Sequence, residues 1–373
     1  MNRLYFGDNL KWLSDRKEFP DASVDLVYLD PPFNSNADYN VLFREPSGQV
    51  SQAQFHAFTD TWSWADAAET YHAFIDNCPN VAVVEMMEAF HSFLKNSPMM
   101  AYLAMMAPRL VELHRVLKPT GSLYLHCDPT ASPYLRTLLD NIFGAENLRN
   151  EIIWQRTPSK GLMTRRLARN HDVILSYQNS DEAKWNEKAV FTRYEVNELD
   201  EKTDEKYSQR DPEGRRYQLT SLINPNQNGP NLTYEFLGVT RVWCWTKERM
   251  QEAYDQGLII QTAPGRVPRF KRYLDEQRGK PLGDVWTDIA PINSQAQERL
   301  GYPTQKPQAL LERIIGASTN PRRCRARSVL WVRHHHSRSA KVRSTMDRDR
   351  HHLPGDQFDQ ATVERCVRRR NRV

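Results

Sequence analysis

Asp30-Pro31-Pro32-Phe33 puts an acidic side chain, two ring-locked backbone positions and an aromatic face within four residues. The run before it, Val24-Asp25-Leu26-Val27-Tyr28-Leu29, is apolar enough for a buried strand, and Pro31 and Pro32 stop that strand because proline has no amide to give the ladder. The tetrad therefore falls at the carboxyl edge of a sheet, where open α/β folds bind ligands. The chemistry such a group suits is methylation of an exocyclic amine. That nitrogen is a poor nucleophile, since its lone pair is delocalised into the base ring. An acceptor pair, the Asp30 carboxylate and the Pro31 carbonyl, can take both amino protons and favour a tetrahedral nitrogen. The lone pair then points at the methyl group of a sulfonium donor, and the gain is positioning and electrostatics without a covalent intermediate. Phe33 offers a face on which a flipped base can stack. A proline-terminated strand with an exposed aspartate is the plainer alternative.

The elements that must hold this group can be read from periodicity. Short apolar runs alternate with amphipathic segments through residue 180, the pattern of an α/β sheet. Residues 4–6 form a strand ending at Gly7-Asp8. Residues 100–117 form a helix with Leu103, Met106, Leu110, Leu113 and Leu117 on its apolar side, ended by Pro119-Thr120-Gly121. Strands are expected at 122–126, 151–154 and 172–177, and a helix at 135–143. Residues 34–80 lack a clean period and read as a long functional loop or a small helical insertion. The mixed charges of 197–211 suggest a solvated linker. Trp243 and Trp245 alternate as a strand does and belong to a core rather than to base stacking. Pro307 opens a further helix through Leu310, Leu311, Ile314 and Ile315. Four segments result: 1–180, the half carrying the tetrad; 181–300, an inserted accessory region; 301–321, a short motif with its helix; and 322–373, an Arg-rich tail.

Composition narrows the classes. The 373 residues are 39% hydrophobic and 26% charged, globular rather than disordered. The most apolar stretch, 99–107, is too short to span a bilayer, and the first residues carry no signal-peptide core. Five scattered cysteines make neither a disulfide framework nor a metal motif, which points to reduced thiols, the cytoplasm and no metal. The formal net charge of +5 is uneven: residues 322–373 hold 14 Arg and 1 Lys against 4 Asp and 1 Glu, while the rest holds 36 basic and 41 acidic side chains.

The tetrad does not stand alone. Gly7-Asp8-Asn9-Leu10, the run 23–36 around Asp30, the run 110–126 ending Gly121-Ser122-Leu123-Tyr124-Leu125-His126, and Tyr302-Pro303-Thr304-Gln305-Lys306-Pro307 resemble, in order, the β-class site-specific DNA methyltransferases that act on amino groups, the N-4/N-6 DNA methylase family. The resemblance covers residues 1–321 and implies a Rossmann-like, S-adenosylmethionine-dependent methyltransferase fold with circularly permuted motif order. It implies Asp30, Pro31, Pro32 and Phe33 as the catalytic tetrad, Asp8 near the adenine end of S-adenosylmethionine, and Thr304, Gln305 and Lys306 near its methionine end. Residues 181–300 would recognise double-stranded DNA, with Arg215, Arg216, Arg241, Lys271 and Arg272 as candidate phosphate contacts, and Asn34 and Asn36 beside the tetrad as further candidate contacts; for any one of the basic residues a solvated surface charge is the plainer reading. A restriction nuclease is a candidate partner. Asp before Pro-Pro favours adenine-N6 over cytosine-N4; a catalytically dead DNA-binding remnant is the alternative of another class.

The family's next motif, a strand followed by a Gly-rich loop of the form Asp-Pro-Phe-x-Gly-x-Gly-Thr-Thr, is missing. The chain continues instead Arg322-Arg323-Cys324-Arg325-Ala326-Arg327-Ser328-Val329-Leu330-Trp331. Back-translated with plausible codons and moved by one nucleotide, the run from Arg322 reads Asp-Val-Val-Val-Leu-Asp-Pro-Phe-Cys-Gly-Cys-Gly-Thr-Thr. The single tryptophan codon followed by the G of any valine codon forces one of these glycines. Residues 346–352 re-read in the same way as Trp-Ile-Gly-Ile-Asp-Ile-Thr. Residues from about 322 onward are thus read as an out-of-frame translation, which a basic DNA-binding arm or a metal site at His334-His335-His336 explains less well. The expected consequences are a tail that is largely irregular or at most marginally helical, an incomplete sheet with the Val24–Leu29 strand at an open edge, and impaired binding of S-adenosylmethionine.

Overall fold

The computed structural model describes residues 3–5, 8–31, 38–41, 55–59, 63–158, 167–192, 194, 199–226, 230–293, 295–299, 305–319, 329–333 and 341–344. Two compact units emerge, one made of Met1–Val190 with Gly283–Val373 and the other of Phe191–Leu282.

The first unit is built on one eight-stranded mixed sheet. In chain order its strands are β1 (Arg3–Tyr5), β2 (Val24–Asp30), β3 (Leu117–Cys127), β4 (Leu148–Gln155), β5 (His171–Gln178), β6 (Val285–Trp286), β7 (Val329–Arg333) and β8 (Lys341–Ser344). Their order across the sheet is β1-β8-β7-β2-β3-β5-β4-β6. At the centre β7, β2 and β3 run parallel, while β5 and β8 run against their neighbours. The carboxyl ends of β2, β3, β4 and β7 therefore share one edge with the start of β5.

Alternation along each strand sorts the core into two layers. Val27 and Leu29 of β2, with Leu123 and Leu125 of β3, face the helices α1 (Asn9–Leu13), α2 (Trp64–Asn77), α3 (Val81–Leu94), α4 (Pro98–Val116) and α5 (Ser132–Phe143). Leu26 and Tyr28, with Tyr124, Ile152, Trp154 and Ile174, face Leu310, Leu311 and Ile314 of α6 (Gln308–Ser318). The long helix α4 begins where Ser97 accepts the Met100 amide and Pro98 occupies the first turn, a position where a missing N–H costs nothing. Gly144 ends α5 at φ 89°, and a Cβ there would lie 2.4 Å from the Glu146 carboxylate.

In the second unit, strand Arg216–Ser221 lies between Gln209–Arg210 and Arg269–Tyr273, and a hairpin of Thr233–Phe236 and Val239–Val242 packs with helix Lys247–Asp255. Its core gathers Leu222, Phe236, Trp243, Met250 and Ile259, so Trp243 is fully buried while Trp245 packs at the margin.

Three expectations need correction. The edge beside β2 is not open: β7 pairs with it in parallel, Val329 opposite Leu26 and Arg333 opposite Asp30, and β8 links β7 to β1. The tail, expected to be at most marginally helical, instead supplies these two strands, its other residues lying outside the described ones, and the sheet is not left incomplete at β2. A central strand has amides and carbonyls on both sides to satisfy, and Val329-Leu330-Trp331-Val332 is the one run of apolar residues in the tail long enough to meet them. The charged stretch 197–211 is also more than a linker, since Asp200 caps a short helix at Glu201–Lys206 by accepting the Thr203 amide.

Candidate active site

Strand β2 delivers Asp30 to the shared edge. From Leu26 onward every residue of the strand is buried, and Asp30, at its last position, is only 4% exposed. A carboxylate so placed needs a partner, and Lys306 provides it: its Nζ lies 2.7 Å from Asp30 Oδ1, and its side chain is 8% exposed. Lys306 is held by its neighbours. Gln305 donates through Nε2 to the Glu298 carbonyl at 2.6 Å, and the Glu298 carboxylate accepts the Gln308 amide at 2.9 Å, capping α6 from outside because Pro307 has no capping side chain. The apolar side of α6 then fastens this corner onto the sheet.

Beside Asp30, β3 contributes His126. Its ring is fully buried, with Nδ1 2.7 Å from the Tyr28 hydroxyl and Nε2 3.1 Å from Asp172 Oδ2 at the start of β5. Arg156, just after β4, closes the row at 3.1 Å from Asp172 Oδ1. Burial, and then the Lys306 charge, hold the His126 imidazole below its ordinary pKa against the opposing pull of Asp172 and Asp30, so the ring is neutral near pH 7. Asp172 fixes its orientation. Burial also pushes the Cys127 thiol well above its usual value, so this cysteine packs as an inert thiol.

Past the end of β1 a second polar group forms. Asp8 caps α1 by accepting the Leu10 amide at 2.9 Å, and Oδ1 also receives Arg109 Nη2 at 2.7 Å. Arg109, on α4 and 2% exposed, donates as well to Asn9 Oδ1 at 2.7 Å and to the Met105 carbonyl at 2.6 Å. Burial lowers its pKa and Asp8 raises it again, the first effect being larger. The Asp8 side chain remains 41% exposed, and the Nδ2 of buried Asn9 has no hydrogen-bond partner among the described residues.

Of the residues singled out from sequence, Asp30 and Lys306 meet directly, Pro31 is buried behind Asp30, and Gln305 braces the Lys306 corner. Pro32, Phe33, Asn34, Asn36 and Thr304 lie outside the described residues. In the second unit Arg215 pairs with Asp275 and Glu276 and sits 3.9 Å over the Tyr273 ring, and Arg216 pairs with Asp204. Lys271 lies over the Tyr217 ring, Arg272 donates to Gln277, and Arg241 is exposed on its hairpin. Sequence reading missed Arg109, Asn9, His126 and Asp172. A charged residue interrupting the apolar side of a helix was the only trace of Arg109, and a His at the end of a buried strand the only trace of His126. Among the described residues no cluster of His, Cys, Asp and Glu could hold a metal ion, and no helix is long and apolar enough to cross a membrane.

A parallel-centred sheet with helices on both faces and a buried aspartate at its carboxyl edge is the Rossmann-like fold of methyltransferases. Residues 24–326 match the DNA methylase family of N6 and N4 enzymes, and the chain belongs to it. The chain is 23% identical over 326 residues to the Mod subunit of the type III restriction-modification enzyme StyLTI of Salmonella typhimurium, covering 84% of this chain and 46% of that one. It is 28% identical over 302 residues to the type II methyltransferase M.EcaI of Enterobacter cloacae, covering 79% of this chain and 55% of that one. The chain thus spans about half the length of these curated relatives. Among solved structures, the M1.HpyAVI–SAM complex aligns over 85% of this chain and 77% of its own at 14% identity, with a TM-score of 0.29.

Proposed function

We propose that the chain is built to transfer a methyl group from S-adenosylmethionine to the exocyclic N6 amine of an adenine flipped out of double-stranded DNA. The observation that carries this reading is the buried Asp30 carboxylate at the end of β2, held by Lys306 and followed by Pro31. Asp30 and the Pro31 carbonyl accept the two amino protons and turn the nitrogen lone pair outward, and Phe33 stacks on the base. The proton shed after methyl transfer leaves from a nitrogen already bonded to Asp30. Asp8, braced by Arg109, offers a half-exposed carboxylate, and the unpartnered Asn9 Nδ2 offers a buried donor; both suit the adenosine end of the cofactor. When bound, S-adenosylmethionine supplies an electrophilic methyl group. Arg241, Lys271 and Arg272 are the phosphate-contact candidates of the second unit, with Arg215 and Arg216 more closely tied to carboxylates of their own unit. A cytoplasmic restriction-modification setting, with a nuclease partner, fits this activity.

We further infer that the residues from about 322 onward are translated out of frame. The Gly-rich loop that lets a backbone approach the cofactor is absent from the sequence, so this chain binds S-adenosylmethionine poorly. The central test is Asp30→Asn in a chain whose frame is restored after Asn320. Methyl incorporation into unmodified DNA should fall by at least about three orders of magnitude, the scale of losing a dominant electrostatic group, while cofactor affinity stays level. Nucleoside analysis of the product separates N6-methyladenine from N4-methylcytosine. Wild-type turnover in the variant would refute the role of Asp30.

A further inference from the structure

We propose that Lys306 is a positioning residue for the catalytic carboxylate: it keeps Asp30 ionised and oriented, and is not primarily a ligand of the cofactor. The inference rests on the methyltransferase reading of Asp30 given above, and it replaces the expectation that Lys306 lies at the methionine end of the cofactor. Asp30 and Lys306 are both nearly inaccessible, and their charged atoms are 2.7 Å apart. A buried carboxylate without a cation takes up a proton rather than stay charged. A protonated Asp30 would carry an O–H where the amine requires an acceptor, so the neighbouring cation determines whether the residue can do its chemistry. The ammonium also fixes one carboxylate oxygen, which sets the plane in which the other is presented.

Several groups stand around the Asp30–Lys306 pair. Tyr28 shares the strand, and its hydroxyl is engaged with His126. His126, from β3, is held neutral by burial and by Lys306 itself, and behind it Asp172 is matched by Arg156. Arg333 stands at the register position of Asp30 on β7. Lys306 does not owe its place to a ligand: Gln305 and Gln308 on either side are both tied to Glu298, and α6 is anchored in the core.

The experiment compares the full chain with Lys306→Met, Lys306→Arg, Asp30→Asn and the double variant Lys306→Met/Asp30→Asn. Thermal melts near pH 8 and near pH 5.5 read the pair without needing turnover. Lys306→Met should melt several degrees below wild type near pH 8, with a smaller deficit near pH 5.5, where Asp30 can take up a proton. The double variant should recover most of the loss near pH 8, and Lys306→Arg should retain most of the wild-type behaviour. Calorimetric titration with S-adenosylmethionine, run on wild type and Lys306→Met with the frame restored after Asn320, should give affinities within about threefold, a difference of well under the 1.4 kcal/mol that corresponds to tenfold. In the same frame-restored background, methyl incorporation by Lys306→Met should lose its acid side at a higher pH than wild type, with Lys306→Arg restoring the profile. A Lys306→Met deficit equal at both pH values and unrelieved by Asp30→Asn overturns the proposal. So does a tenfold or greater loss of cofactor affinity with unchanged melts, which makes Lys306 a cofactor ligand. Methylation surviving in Asp30→Asn overturns the methyltransferase reading of that residue instead, and the melts still judge the pair.

Discussion

Arg109 commits all three guanidinium nitrogens to partners in the fold: Asn9, the Met105 carbonyl and Asp8. Because it is fully enclosed while Asp8 is partly in water, its removal leaves a buried amide oxygen unpaired more than it breaks a strong ion pair. Arg109→Leu should therefore cost about 2–3 kcal/mol in urea unfolding and weaken S-adenosylmethionine binding further, as Asp8 loses its brace. His126 gives a pH prediction. Its folded pKa is lowered, so the unfolded chain takes up a proton that the native ring refuses, and stability present above the unfolded value near 6.5 declines as the pH falls below it. Melting temperatures between about pH 7.5 and pH 5.5 should show this slope, reduced in His126→Gln. Asp30 was legible beforehand because four unusual residues ended a strand. Arg109 was not, because periodicity marks its helix face as core and says nothing of a cation that arrives with its own hydrogen-bond partners.

Among the elements, α4 bears most of the packing, with Leu103, Met106, Leu110 and Leu113 all fully or almost fully buried under the sheet. Leu110→Ala should cost about 2–5 kcal/mol by denaturant titration, and Ser97→Ala about 1 kcal/mol through the lost cap at the Met100 amide. This helix and strands β2 to β5 could be read in advance to within a few residues, since each has one clear period. Helix α3 could not. Val81-Ala82-Val83-Val84 opens it with β-branched residues that favour strands locally, and only Asn80, accepting the Val83 amide, and the packing of Met87 and Phe90 make it helical. Strand β7 was missed for another reason. The demand for it comes from the open ladder of β2 and is written nowhere in the Arg-rich sequence that answers it.

At the scale of the molecule, fold and cofactor binding separate. Restoring the reading frame after Asn320 should replace the sequence of β7 and the segment after it with a strand and a Gly-rich loop. Calorimetry should then record micromolar binding of S-adenosylmethionine, about 8 kcal/mol, where the chain as written gives little heat. Both chains should be soluble and melt cooperatively, since each closes the sheet beside β2. That closure has a wider meaning. Main-chain hydrogen bonding is indifferent to side-chain identity, so the slot next to β2 works as a permissive receptor for almost any short apolar segment tethered within reach. A tail translated out of frame that supplies such a segment leaves the ladder of β2 paired. A probe of the sheet's folding would then not register the change of frame, and a probe of ligand binding would.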